Sequence, residues 1–239
     1  IAREDVGDPR AKNMVAVGAC AALFNFPKDQ IEQNLAERYR RKNEKMYLDN
    51  LAGFQAGYDY AQKHLEKKDP YALKPAEGDG FLLLSGNEAI GMGALLAGCR
   101  FFGGYPITPA SEVMEFMAAE LPKVGGCMLQ AEDEIASIGM VLGAAFAGVR
   151  SMTSTSGPGL SVMTELLGLS AMAEIPCVVV DVQRGGPSTG MPTKTEQGDL
   201  NLALAMSHGE MPKVILAPIS VHDCFDIMFQ AFDIAERFQ

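Results

Sequence analysis

From residue 81 onward the chain alternates short strand-like runs with longer Ala- and Gly-rich segments at helical spacing. No other sequence feature restricts the fold as much. Phe81 to Leu84, Phe101 to Tyr105, Cys127 to Gln130, Ser151 to Thr155, Cys177 to Val182 and Val214 to Leu216 read as strands. Asn87 to Gly98, Pro109 to Glu120, Glu132 to Ala147, a segment ending at Ala173, and segments from Asp199 and Val221 read as helices. Thr108 is the expected N-cap of the second of these, with Pro109 at its first position. Strict βαβα alternation predicts an α/β fold, a doubly wound and mostly parallel sheet with helices on both faces. Ligands in such sheets bind beyond the carboxyl ends of the strands.

Residues 1–80 have a different character. Asn13 to Phe24 is apolar and Ala-rich, Pro27 interrupts, and Asp29 to Lys45 carries Ile31, Leu35 and Tyr39 at helical spacing. Leu48 to Leu65 reads as a third helix. The basic run Arg38, Arg40, Arg41, Lys42 and Lys45 alternates with Glu37 and Glu44, which reads as a solvated helix face. This half holds thirteen cations and thirteen acids, whereas residues 81–239 hold seven Lys or Arg against seventeen Asp or Glu. The shift marks a boundary, and the polar, Pro-containing stretch from Lys67 to Pro75 reads as a linker. The expected division is 1–66, a helical segment that forms the end of a larger domain; 67–80, a linker; and 81–239, an α/β domain.

The net charge of −10 argues against nucleic acid or an anionic membrane as a partner. No apolar run is long enough to span a bilayer, and no secretory signal opens the chain. Five scattered cysteines without a CxxC suit a reducing compartment, so a cytoplasmic protein is expected, with no zinc or iron–sulfur site held by this chain alone. His64, His208 and His222 lack metal-ligand spacing, and His208 reads as a cap at the end of the helix before it. The Met-rich helices read as core.

Four loops follow strands and open helices: Gly103–Glu112 with YPITP, Ala131–Gly139 with AEDEIASIG, Thr153–Leu160 with TSTSGPGL, and Arg184–Gln197 with RGGPSTGMPTKTEQ. Two of the seven cations of this half, Arg184 and Lys194, lie in the last loop. A cation there suits an anionic ligand, although a Gly/Pro-rich segment is also ordinary turn chemistry. Glu132 and Asp133 read as acids complementing a helix N-terminus. Glu134, expected a turn inside the helix, is the member of the trio expected to be buried.

Together, YPITP, AEDEIASIG, TSTSGPGLSVM and QRGGPSTGMPTKTEQ, in this order, resemble the α subunit of 2-oxoacid:ferredoxin oxidoreductases, most nearly the 2-oxoglutarate type. The resemblance covers residues 81–239, the domain that binds the pyrimidine of thiamine diphosphate in that family. Residues 1–66 resemble, without a sharp motif, the end of a fused γ domain. The cofactor works through a carbanion at its C2, promoted by a carboxyl bonded to the pyrimidine N1′. The resemblance gives that role to Glu134, with Glu132 next in line, and seats the cofactor against Tyr105, Pro106 and Ile107. It has Arg184 clamp the substrate carboxylate and Thr108 hydrogen-bond the substrate. Thr193 and Lys194 would reach its distal end, although Lys194 reads equally as a solvated loop lysine.

A 2-oxoacid, coenzyme A and ferredoxin are the implied reactants. A separate β subunit would hold the diphosphate, Mg²⁺ and a [4Fe-4S] cluster in an (αβ)₂ assembly. Gly78-Asp-Gly80 imitates a diphosphate-binding motif but lacks the later asparagine, so it reads as a turn. Gly86–Gly91 is not a GxGxxG, which leaves the nicotinamide reading little support. The chain starts inside an expected domain and stops in mid-helix at Ala235–Gln239, so further domains are expected and the isolated chain is expected to be inactive. A pyruvate- or indolepyruvate-type member and a non-catalytic scaffold are the alternatives. Substrate breadth, reaction direction and the identity of the ferredoxin are not legible in the sequence.

Overall fold

A computed structural model describes residues 1–74 and 80–239. The chain divides into two compact units, Ile1–Phe81 and Leu82–Gln239.

The first unit is helical. Its α1 spans Lys12–Phe24, α2 Lys28–Leu35 and α3 Glu44–His64. Asp29 to Lys45 is not one helix. A π-helical turn over Ala36–Arg40 follows α2, and the Asn43 side chain then caps α3 by accepting a bond from Met46 N at 3.1 Å. The cap competes with continuation of the helix and wins. The basic run is exposed, as expected of a solvated face, and two of its members are paired: Arg40 meets Glu44 at 3.5 Å and Lys45 meets Asp49 at 2.8 Å.

Glycine sets the spacing of α1 and α3. A Cβ on Gly57 would lie 2.7 Å from the Val15 carbonyl carbon, and one on Gly18 would lie 2.8 Å from Tyr58 N. The two backbones therefore touch, and Phe54 is fully buried beside them. Part of the expected linker is docked on this unit, with Leu73 N donating to the Phe24 carbonyl at 2.8 Å. Of the GDG tripeptide, Gly78 and Asp79 lie outside the described residues.

The second unit is the expected doubly wound α/β fold. Its sheet is parallel, in the order β2-β1-β3-β4, with β1 Phe101–Gly104, β2 Cys127–Gln130, β3 Ser151–Thr155 and β4 Val178–Asp181. The helices are α4 Gly86–Leu96, α5 Ser111–Glu120, α6 Glu134–Phe146, α7 Gly157–Ala173, α8 Leu200–Ala205 and α9 Val221–Phe238. Alternate strand residues face opposite layers. Phe102 and Val178 pack with α4, α5 and α9, through Ile90, Val113, Met117, Met228 and Phe232. Phe101 and Val179 pack with α6 and α7, through Ile138, Val141, Leu160 and Met163. The buried methionines are core, as expected. Among the described residues, no helix is long and apolar enough to cross a membrane.

Two expected strands are absent. Phe81–Leu84 is unpaired, with Phe81, Leu82 and Leu83 strongly exposed, and Val214–Leu216 is likewise outside the sheet. A short apolar run carries no information about whether an edge exists to receive it. Ser85 ends the first run at once through a reciprocal capping box with Glu88. Three termini also shift. Helix α5 starts at Ser111 with Ala110 as N-cap, so Thr108 and Pro109 form a turn before it. Glu134 is the first residue of α6 rather than a turn inside. Helix α8 ends through Met206, whose N–H bonds the Leu202 carbonyl, and His208 is exposed beyond it.

Gly57→Ala should destabilise the helical unit by about 1–3 kcal/mol, the usual cost of overpacking. Denaturant unfolding followed by hydrogen exchange in α1 and α3 reads this, and unchanged protection would contradict the backbone contact.

Candidate functional site

The strand order places the topological switch between β1 and β3, whose chain continuations run to opposite sides of the sheet. The crevice beyond their carboxyl ends is where such sheets bind ligands. β1 leads into Tyr105-Pro-Ile-Thr108, and β3 leads into Ser156-Gly-Pro-Gly159. The turn after the first of these loops is anchored by hydrogen bonds. Ser154 Oγ donates to the Ala110 carbonyl at 3.2 Å. Asn87 Nδ2 donates to the Pro109 carbonyl at 3.0 Å and to Glu112 Oε2 at 2.9 Å. The sequence had given no signal for that role of Asn87.

Glu134 arrives from beyond β2. Asp133 is the N-cap of α6, its Oδ1 accepting from Ala136 N at 2.7 Å, so the Glu134 carboxylate is left free of capping duty. Glu132 and Asp133 are exposed, whereas Glu134 is half-buried. It lies against the start of α7. A Cβ on Gly159 would fall 2.9 Å from Glu134 Oε1 and 2.7 Å from its Cγ, and would also strike Thr155 Oγ1. Glycine at 159 thus lets the carboxylate reach the end of β3.

Arg184 is buried, at 6% exposure. Nη1 donates to the Thr108 carbonyl at 2.7 Å and Nη2 to the Thr189 carbonyl at 2.6 Å. Nε is buried and has no partner among the described residues. The guanidinium therefore clasps the YPITP loop to its own loop and leaves its Nε–H without a partner. That loop, residues 182–198, is folded on itself: Gly185 N bonds the Lys194 carbonyl at 2.9 Å and Met191 N bonds the Gly185 carbonyl at 2.8 Å. Tyr105, Pro106 and Thr108 are exposed and Ile107 half-buried along the mouth. The Thr193 and Lys194 side chains are exposed and are not brought onto the other candidates.

A carboxyl pair invisible to sequence reading lies at the base of the loop. Asp181 ends β4, and Asp199 precedes α8. Burial, followed by the charge and hydrogen bond of Asp199, pushes Asp181 up to about 7. The cysteines offer no counterpart, since burial pushes the Cys99 thiol up to about 12 and also raises Cys177. Among the described residues, no group of three metal-ligating side chains is assembled.

Comparison with known proteins adds to this geometry. Residues 92–239 match the family model described as pyruvate flavodoxin/ferredoxin oxidoreductase, thiamine diphosphate-binding. The chain belongs to this family. Residues 1–60 match a second model, pyruvate ferredoxin/flavodoxin oxidoreductase. A 2-oxoglutarate synthase subunit KorA of Methanocaldococcus jannaschii is 54% identical over 156 residues, which cover 65% of this chain and 43% of that protein. A 2-oxoglutarate oxidoreductase subunit KorA of Mycobacterium tuberculosis is 41% identical over 95% of this chain and 35% of its own length. The solved 2-oxoglutarate:ferredoxin oxidoreductase of Magnetococcus marinus, with 2-oxoglutarate, coenzyme A and succinyl-CoA bound, superposes with a TM-score of 0.82. It is 46% identical, covering 98% of this chain and 41% of that one. The chain thus spans less than half the length of these relatives. The residues at the switch fit a pyrimidine: an uncommitted carboxylate, a glycine that keeps the crevice open beside it, and a buried guanidinium N–H without a partner.

The Asp181 shift has a stability consequence. Native Asp181 keeps its proton where the unfolded chain, titrating at the ordinary value of 3.8, has lost it. Stability therefore falls as pH rises from about 4 to about 7, and the loss is complete above that. Asp181→Asn removes the titration, so the melting temperature of the variant relative to wild type should rise between pH 5 and pH 8. A gap equal at both values would refute the assignment.

Proposed function

We propose that this chain is part of the α subunit of a thiamine-dependent 2-oxoacid:ferredoxin oxidoreductase of the 2-oxoglutarate type. The reaction is oxidative decarboxylation to acyl-CoA and CO₂, with electrons passing to ferredoxin, or its reductive reverse. The observation that carries this reading is the Glu134 carboxylate, free of capping duty and seated against Gly159 at the sheet's switch point. Thiamine diphosphate, when bound against these residues, would supply carbanion chemistry toward the 2-oxo carbon. Glu134 holds or shares the proton at N1′ of its pyrimidine. Tyr105, Pro106 and Ile107 form the wall against which the ring lies. Arg184 offers N–H groups not used in its two carbonyl bonds to the substrate carboxylate, while those two bonds fix the loops around it. Thr108 hydrogen-bonds the substrate, and Thr193 and Lys194 meet a distal carboxylate once the loop is covered.

Residues 1–66 are the end of a γ-type domain, 67–80 a linker, and 81–239 the pyrimidine-binding domain. A β subunit holds the diphosphate, Mg²⁺ and a [4Fe-4S] cluster in a cytoplasmic (αβ)₂ assembly. The 2-oxoglutarate relatives favour that substrate over pyruvate.

The test uses full-length protein with its β partner, assayed by coenzyme A-dependent viologen reduction with 2-oxoglutarate, pyruvate and 2-oxobutyrate. Turnover should be greatest with 2-oxoglutarate. Glu134→Gln should lower kcat by about 10²–10⁴, the usual share of general acid–base catalysis. Arg184→Ala should raise KM roughly tenfold or more, since a charge-assisted bond contributes about 1.5–3 kcal/mol. Full activity in Glu134→Gln would remove the carboxylate from its role. No turnover with any 2-oxoacid would favour a scaffold.

A further inference from the structure

The loop with Arg184, Thr193 and Lys194 leaves the sheet just after Asp181 and ends at Asp199, which precedes α8. Its two ends are therefore the two members of the carboxyl pair. Asp181 Oδ1 and Asp199 Oδ2 are both buried, and no donor among the described residues reaches either atom. Two acceptor-only carboxylates cannot remain in contact there without a proton between them. The rest of the neck is fixed. Val182 N bonds the Thr155 carbonyl at 2.8 Å, and Asp199 N bonds Gln183 Oε1 at 2.9 Å. A Cβ on Gly157 would lie 2.8 Å from Asp199 Oδ2, so the pair is also pressed against the start of α7.

We propose that Asp181 and Asp199 are positioning residues that share one proton, and that this proton closes the neck of the 182–198 loop so that Arg184 and its neighbours are presented to the 2-oxoacid. The proposal rests on the function assigned above to that loop. When the proton leaves, two like charges face each other in a half-buried contact, and the neck opens. Among the described residues no cation is paired with Asp181, and Lys194 of the loop is exposed. β3 and α8 carry no charged residue. Helix α7 carries Glu165, with Glu174 capping its end, and α9 carries His222, Asp223, Asp226, Asp233, Glu236 and Arg237. In the loop, Arg184 is occupied by two carbonyls and Glu196 lies near Gly185, while Glu134 lies against Gly159. Of all these groups, only Asp199 acts on Asp181.

The switch falls in the range where the pair titrates, about pH 7. If only the closed neck binds substrate, the apparent KM scales inversely with its population, which falls roughly 20-fold between pH 6.5 and 8.5. Asp181→Asn and Asp199→Asn each replace the shared proton with a permanent N–H donor of the same shape.

The test uses the full α subunit with its β partner. Hydrogen exchange of residues 185–197 is compared between wild type and each Asn variant at the same pH, so that intrinsic exchange cancels. At pH 6.5 the three proteins should match, and at pH 8.5 the wild-type loop should exchange faster. In parallel, KM for 2-oxoglutarate should climb toward the 20-fold ceiling in wild type, stay flat in the variants, and leave kcat nearly unchanged. Equal exchange at pH 8.5, or an identical KM profile in an active variant, would overturn the latch. Loop exchange that follows the expected pattern without turnover on any 2-oxoacid would uphold the latch and overturn the assigned function instead.

Discussion

Burial of β3 is the constraint on which the second unit depends. All five of its residues are buried, flanked by β1 and β4 and covered by helices on both faces. A central parallel strand can meet these demands only if its backbone is fully paired and its side chains are small or apolar. The loops of interest are tied to its end: Ser154 holds the turn before α5, Gly159 lies against both Thr155 and Glu134, and the Thr155 carbonyl receives the start of the 182–198 loop.

The candidate site is built by two different means. On the α5 side, neutral hydrogen bonds from Asn87 and Ser154 to carbonyls fix the backbone. On the β4 side, charged groups do so. Arg184 contributes a guanidinium that cannot be deprotonated in a protein, whereas the Asp181–Asp199 contact depends on a proton. A buried charged group with an unsatisfied atom costs free energy, and such costs are retained mostly where a site needs them.

Much of this was legible in the residues. The alternation of apolar runs and Ala/Gly-rich segments predicted the sheet and its helices, because both periodicities are local properties. The four loop motifs fell at strand ends for the same reason. What escaped were pairings between distant positions. Whether Phe81–Leu84 or Val214–Leu216 meets a free edge depends on the rest of the sheet. The bond of Asn87 to Pro109 and the contact of Asp181 with Asp199 join residues far apart in sequence, in types that elsewhere are ordinary surface residues. Cap competition also eluded the sequence, since Asn43 ends one helix and starts another without any break in hydrophobic periodicity.

Around the switch, the hydroxyl-rich strand and the Gly103-Gly104 pair have a geometric result. Small side chains leave little thickness between sheet and helices: a Cβ on Gly103 would lie 2.8 Å from the Ser137 carbonyl oxygen of α6. There the sheet meets α6 main chain against main chain. A rigid mould of this kind has few rotamers to rearrange, so a change of ligand preference in such a protein is more easily made at the rim than at the floor.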